Sequence, residues 1–287
     1  MNTSEAKNIQ KVYLTCKDHT VSGEEFNLIL DPELDLLVTT PIPDPEKLPS
    51  YYKSESYISH TDSKNSFTDK LYQQIKKIML KKKLGWIQDY FPNKGKLLDI
   101  GAGTGEFLLQ AKKQGWKVKG IEPDDHARLL AKKKGIKLVS DSANFKAEKF
   151  DVITMWHVFE HVYDLKNQII ELEQLLKKNG LLIIAVPNYK SYDASYYKEF
   201  WAAFDVPRHL WHFSHRSFKQ LFAGTTFIEV DFKPLLFDSF YVSLLSEKYK
   251  TGNSNFVKSF FIGLKSNFKA SSSKEYSSMA YFFQKGD

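Results

Sequence analysis

The sequence predicts an α/β protein organised around a doubly wound, mostly parallel sheet, with a small N-terminal β extension and a helical insertion near the C-terminus. Three observations carry this. From Lys96 onward, short apolar runs alternate with amphipathic helical patterns. One of those runs leads straight into three alternate glycines, "LLDIGAGTGEF" (97–107). After Pro187 the patterning changes to an aromatic stretch without a period. Alternating strands and helices imply βαβ crossovers, with helices on both faces of a parallel sheet. Sheets of that kind bind ligands at the carboxyl ends of their strands.

The elements follow in order. Residues 1–50 read as short strands closed by the Pro-rich "TTPIPDPEKLP", and 51–287 as a single larger domain. "SFTDKLYQQIKKIMLKKKLGWIQDYF" reads as an amphipathic helix. Strands are expected at "KLLDI" (96–100), "KVKGI" (117–121), "IKLV" (136–139), "FDVITMW" (150–156) and "GLLIIAVP" (180–187), with helical patterns between them. In the last of these helices Ile169, Ile170, Leu172, Leu175 and Leu176 share a face, and Gly180 stands where a C-terminal cap belongs. The aromatic stretch spans 188–214, a helix is expected near 216–223 and a strand at "FIEVDFKP" (227–234). Helical segments at about 238–249 and 255–268 make up an insertion over 238–270, before a final "SSMAYFFQK".

Composition narrows the class. The 287 residues are 42% hydrophobic and 15% aromatic, as in a globular protein with a sizeable core. Cys16 is the single cysteine, which excludes an internal disulfide and supplies no cluster for zinc, so no metal site is expected. The polar start "MNTSEAKNIQ" has no leader-like apolar core, and no apolar run approaches the roughly 20 residues of a bilayer span; the expected location is cytoplasmic. The net charge of +7 comes from lysines scattered along the chain, with clusters at "KKIMLKKK" and "AKKKG". These read as solvent faces of helices rather than a nucleic-acid footprint.

The glycines raise the question of which nucleotide. A dinucleotide fingerprint needs G-x-G-x-x-G, yet here the third glycine is Gly105, one place early, and Glu106 occupies the expected position. A P-loop needs G-K-[ST], which is missing. A carboxylate at a helix start repels a pyrophosphate. Asp99 and Glu106 instead flank the turn as two potential carboxylates for a ligand that carries a cation and no phosphate. The next strand ends "GIEPD", which brings Glu122 to a strand tip beside the glycines, suited to accept both hydroxyls of a ribose. "VSDSANF" then offers Asp141 to the exocyclic amine of a base.

"LLDIGAGTGEF", "GIEPD", "FDVITMWHVFEHV" and "GLLIIAVPN", in this order, resemble the class I S-adenosylmethionine-dependent methyltransferases. "DVPRHLWHFS" further resembles their small-molecule subgroup, which includes ubiquinone-type O-methyltransferases. The resemblance covers about 50–235 and implies a seven-stranded Rossmann-like sheet with S-adenosylmethionine as cofactor. By that resemblance Asp99, Gly101, Ala102 and Gly103 cradle the methionine part. Glu122, followed by Pro123, holds the ribose, while Asp141 and Ser142 meet the adenine. Trp156 and His157 lie under the sulfonium. "YYKSESYISH" (51–60), with Tyr57 and His60, is similar to the segment that folds over the cofactor. Relatives often carry a Cys-rich zinc ribbon at the N-terminus; Cys16 alone leaves a degenerate ribbon without metal.

Methyl transfer to a hydroxyl needs positioning and a general base. His209 and His157 are the leading candidates, ahead of His161 and His212. Arg208 has two readings, a fork for an acceptor carboxylate or phosphate and a salt bridge to Asp205. The rings from Tyr189 to Phe213 read either as a pocket for a flat or lipophilic small molecule or as core covering a sheet edge. The alternatives are an RNA methyltransferase and a non-catalytic S-adenosylmethionine-binding regulatory protein. Base N-methylation is disfavoured because "MWHVFEH" stands where a [DNS]-P-P-[YFW] element is usual.

Overall fold

The computed structural model describes residues 11–52, 67–145 and 147–286. In chain order these give β1 (Val12–Lys17), β2 (Glu25–Asp31), β3 (Leu36–Thr40), α1 (Phe67–Tyr90), β4 (Lys96–Ile100) and α2 (Glu106–Lys113). There follow β5 (Lys117–Ile121), α3 (Asp125–Lys133), β6 (Phe150–Trp156), α4 (Leu165–Leu175), β7 (Leu176–Pro187) and α5 (Tyr192–Tyr197). The chain continues through β8 (Trp211–His212), α6 (His215–Leu221), β9 (Phe227–Pro234), α7 (Asp238–Thr251), α8 (Phe256–Ser273) and β10 (Ser278–Lys285). No helix among the described residues is long and apolar enough to cross a membrane.

Two compact units result, and they do not follow the expected division at residue 50. The N-terminal strands, residues 188–221 and residues 238–277 form one unit; the described residues of 67–187, 222–237 and 278–286 form the other. The reason is tertiary. β8 pairs antiparallel with β3 and extends the sheet β1-β2-β3-β8, so the aromatic stretch folds with the N-terminal strands. Cys16, Phe26, Leu28 and Leu37 share one core with Tyr189, Tyr197, Trp201 and Phe204. Buried Asp193 ties that core together by accepting from Trp201 Nε1 at 2.8 Å and from the Ser266 and Ser277 hydroxyls at 2.6 and 2.7 Å.

The other unit holds the sheet β5-β4-β6-β7-β10-β9. β4 pairs parallel with β5 and β6, β6 pairs parallel with β7, and β10 inserts antiparallel between β7 and β9. Continuous apolar runs such as "GLLIIAVP" are buried on both faces, as central parallel strands must be. The resemblance implies seven strands, and six are present among the described residues. The expected strand at 136–139 contributes one bridge, Val139 to Ile121. It is squeezed between Gly135, at φ +79°, and the turn that Asp141 Oδ1 makes by accepting from Ala143 N.

Gly180 is likewise not a helix cap. α4 ends at Leu175, Leu176 is already extended, and the chain runs directly into β7. A Cβ at Gly180 would lie 2.7 Å from Leu176 Cγ, so glycine is needed where the β6–β7 register shifts.

Candidate active site

The glycine turn sits at the carboxyl end of β4, where a doubly wound sheet takes its ligand. Gly101, Gly103 and Gly105 have φ of +71°, +52° and +73°, the left-handed region that L side chains resist. Gly101 N and Ala102 N both donate to Ile121 O, at 2.8 and 2.9 Å, which folds the turn over the tip of β5. A Cβ at Gly101 would strike Val158 Cγ2 at 2.3 Å, and one at Gly105 would crowd Ala131 and Ile136. At Gly103 a Cβ would meet nothing within 4 Å. Two glycines therefore serve packing, and the middle one faces open space.

Glu122 follows β5 directly, and its carboxylate closes this turn. Oε2 accepts from Gly103 N at 2.8 Å and Oε1 from Asp124 N at 3.0 Å. Pro123 lends its carbonyl to Arg128. Below the turn, Asp99 is fully enclosed, 2% exposed, and accepts from Thr154 Oγ1 at 2.6 Å. Burial pushes its pKa up to about 7, against the opposing pull of the Thr154 hydroxyl and the Lys83 ammonium. Lys83 Nζ lies 4.1 Å from the centre of the Trp156 ring, whose edge meets Phe107. The buried Trp156 Nε1 has no hydrogen-bond partner among the described residues.

The remaining expected residues are distributed around this centre. Asp141 is exposed and ordered by Ser140 Oγ and Ala143 N, while the Ser142 hydroxyl donates to Glu171. Glu106 does not face a ligand as a free carboxylate: burial raises its pKa, but Lys134 at 2.9 Å and Lys76 at 3.3 Å hold it low. His157 caps β6 at φ +57°, a strained conformation for a non-glycine residue. Its Nδ1 lies 3.5 Å from the buried Glu160 carboxylate. Tyr57 and His60 lie outside the described residues.

In the other unit, Arg208 shows the salt-bridge reading. It is 1% exposed, with Nε donating to both Asp205 oxygens at 3.0 Å, Nη2 to Asp18 Oδ1 at 3.0 Å and Nη1 to the Tyr51 carbonyl at 2.9 Å. The rings of Tyr189, Tyr197, Trp201, Phe204 and Phe213 are buried core. His209 Nδ1 lies 2.9 Å from the Ala203 carbonyl, which only accepts; that nitrogen therefore carries the proton, and Nε2 is the basic atom of the neutral ring. Thr39 gives its one hydroxyl proton to the His209 carbonyl at 2.6 Å and so accepts from His212 Nε2 at 3.0 Å. Burial, reinforced by His209, drives the His212 pKa well below its usual value and keeps that ring neutral.

A family described as a methyltransferase domain matches residues 72–227, more than half of the chain. The chain belongs to this methyltransferase-domain family. The ubiquinone biosynthesis O-methyltransferase of Histophilus somni is 36% identical over 107 residues, covering 32% of this chain and 45% of that protein. The enzyme of the same name from Pelagibacter ubique is 39% identical over 107 residues, 34% of this chain and 45% of its own length. The chain thus spans about half the length of these curated relatives. Magnesium protoporphyrin IX methyltransferase from Synechocystis, solved with bound SAH, aligns over 85% of this chain and all of its own at a TM-score of 0.57 and 14% identity. That likeness shows the Rossmann-like methyltransferase fold.

Three residues of this methyltransferase domain escape a reading of sequence alone. Thr154, Glu160 and Lys83 are buried or half-buried polar groups of the site. A lone hydroxyl in "FDVITMW" and a lone acid in "WHVFEHV" are visible signals, because polar groups in apolar runs need partners. Lys83 gives no such signal inside "KKIMLKKK".

Proposed function

We propose that the chain transfers a methyl group from S-adenosylmethionine to the oxygen of a small-molecule acceptor. The observation that carries this is the left-handed glycine turn closed by Glu122, with open space over Gly103. The fit to the cofactor is chemical. Glu122 offers acceptor oxygens to a ribose diol, the turn has no cation for a phosphate among its own residues, and the orphaned Trp156 Nε1 marks a buried donor in need of a partner. Asp99, Gly101, Ala102 and Gly103 would hold the methionine end; Glu122 and Pro123 the ribose; Asp141 and Ser142 the adenine; Trp156 and His157 the region of the sulfonium.

When bound, the cofactor supplies a methyl group already activated by a positively charged sulfur. The protein's own work is then positioning and proton removal, worth several kcal/mol and about 10²–10⁴ in rate respectively. His209 Nε2 would be the atom that takes the acceptor hydroxyl proton. The Nδ1–H bond to Ala203 O holds the ring in the tautomer this requires. Arg208 keeps the loop in place through Asp18 and Asp205 and is a positioning residue.

Calorimetry with SAH tests the first step. Wild-type protein binds and Glu122→Ala binds about 10–100-fold more weakly, the scale of hydrogen bonds to a charged group; no binding by wild type at millimolar SAH refutes the proposal. Untargeted metabolite profiling of a deletion strain, read for species lighter by one methyl group, then finds the acceptor. With that acceptor, His209→Ala leaves SAH affinity unchanged and lowers turnover about 10²–10⁴-fold. Full turnover would move the base to His157.

A further inference from the structure

The α7–α8 hairpin is built the wrong way round for a helix pair facing water. α8 turns Ser259, Gly263, Ser266 and Ala270 inward, and α7 turns in Ser239, Ser243, Ser246 and Glu247. The backbones approach closely on these small residues. A Cβ on Gly263 would lie 3.0 Å from Phe240 N, and the Ser239 hydroxyl donates to Gly263 O at 3.2 Å. The Ser259 hydroxyl, which donates to Asn255 O at 2.7 Å, lies 3.3 Å from Ser243 O. The large apolar side chains of α8 are displaced outward. Phe256, Val257, Phe260, Phe261, Leu264 and Phe268 are 47–77% exposed. Scattered exposed apolar residues are ordinary, but six on one 18-residue helix form a continuous face.

Charge identifies what covers this face. Lys248, Lys250, Lys258, Lys265, Lys269 and Lys274 lie between Glu247 and Glu275, a stretch with no acidic residue. Lys258 pairs with Glu247 at 2.7 Å, while Lys250 lies over the Tyr196 ring and Lys265 and Lys269 over the Tyr192 ring, contacts that leave their charge unneutralised. A second copy is a poor occupant, since a two-fold interface would set this lysine-bordered face against itself. An anionic lipid surface matches both features at once. Phenylalanines enter the boundary between headgroups and acyl chains, while lysines on flexible stems reach the phosphates. We propose that the outer face of α8 docks this protein flat on anionic membrane, without spanning it.

Sedimentation of the full chain with vesicles tests this. Phosphatidylcholine vesicles carrying about one-third phosphatidylglycerol should pull the protein down, pure phosphatidylcholine far less, and added salt should release it. Phe261→Ser with Phe268→Ser should lower partitioning about tenfold or more, and so, independently, should Lys265→Glu with Lys269→Glu. Melting curves should be unchanged for the phenylalanine pair, whose side chains are exposed. The lysine pair also gives up two contacts over the Tyr192 ring. It is compared with Lys265→Gln and Lys269→Gln, which loses the same contacts without reversing charge and should partition better than the Glu pair. No binding to anionic vesicles, or binding as tight as wild type by either the Ser pair or the Glu pair, overturns the proposal. A lipid-free dimer that the phenylalanine substitutions abolish would overturn it in favour of a second copy. A requirement for a protein component of native membranes, with none for lipid charge, would overturn it in favour of a protein partner.

Discussion

Replacing Asp99 by Asn should stabilise the ligand-free protein at alkaline pH and not at acid pH. Asp99 is enclosed beneath the glycine turn, and burial raises its pKa to about 7 although Thr154 and Lys83 favour the charged form. In the unfolded chain an aspartate titrates near 3.9. Between those two values the folded state holds a proton that the unfolded state has released. Stability therefore falls as pH rises through this window and levels off above about pH 7. From pH 5 to the folded pKa is about two units, worth about 3 kcal/mol at 1.36 kcal/mol per unit. Asn keeps the shape and can still accept from the Thr154 hydroxyl at 2.6 Å, so the variant lacks this pH dependence. Urea unfolding of both proteins at pH 5 and pH 8 isolates Asp99, because every other titration cancels in the difference. The Asn variant should gain about 3 kcal/mol relative to wild type between the two conditions. A gain equal at both pH values, or a variant less stable than wild type at pH 8, refutes the reasoning. On the proposed function the same variant binds SAH less tightly, which makes Asp99 a case of stability given up at a site.

Two further substitutions test the packing around the site. Gly101→Ala should destabilise by about 2–5 kcal/mol, the sum of a left-handed alanine and overpacking on Val158. Adding Val158→Ala should recover the overpacking part alone, and thermal melts showing full stability for Gly101→Ala would contradict the turn described above. Arg208→Ala should lose about 2–4 kcal/mol in urea unfolding, since it removes the countercharge of the buried Asp18 carboxylate, which keeps its Thr20, Val21 and Ser22 donors, and of the partly exposed Asp205. Arg208→Lys should rescue little, because one ammonium cannot replace a fork that reaches two carboxylates and the Tyr51 carbonyl; wild-type stability in either variant would show that the pair carries no load.

How far each part of the molecule could be read in advance depends on whether its cause is local. The runs 96–100, 117–121, 150–156 and 227–234 match β4, β5, β6 and β9 to the residue, because strands buried in a sheet need unbroken or alternating apolar runs bounded by turns. The glycine turn and Glu122 were equally visible, since left-handed backbone and a strand-end acid are set by adjacent residues. The stretch 188–214 showed no period because its pieces are too short to have one. α5 has six residues and β8 two, and their rings are buried by strands far away in the chain. Lys83 was lost in a run of lysines for the same reason: only the fold brings it onto Trp156. α8 shows the deeper limit. Its periodicity announced a helix at about the right place, but an amphipathic pattern says only that the two faces differ. The usual assumption puts the apolar face inside. Here the Ser239 hydroxyl finds a backbone carbonyl across the hairpin, the Ser259 and Ser246 hydroxyls are satisfied within their own helices, and glycine permits close approach, so the small face is the one that packs. The phenylalanines are left outside, and what they meet there is a property of the protein's surroundings rather than of its core.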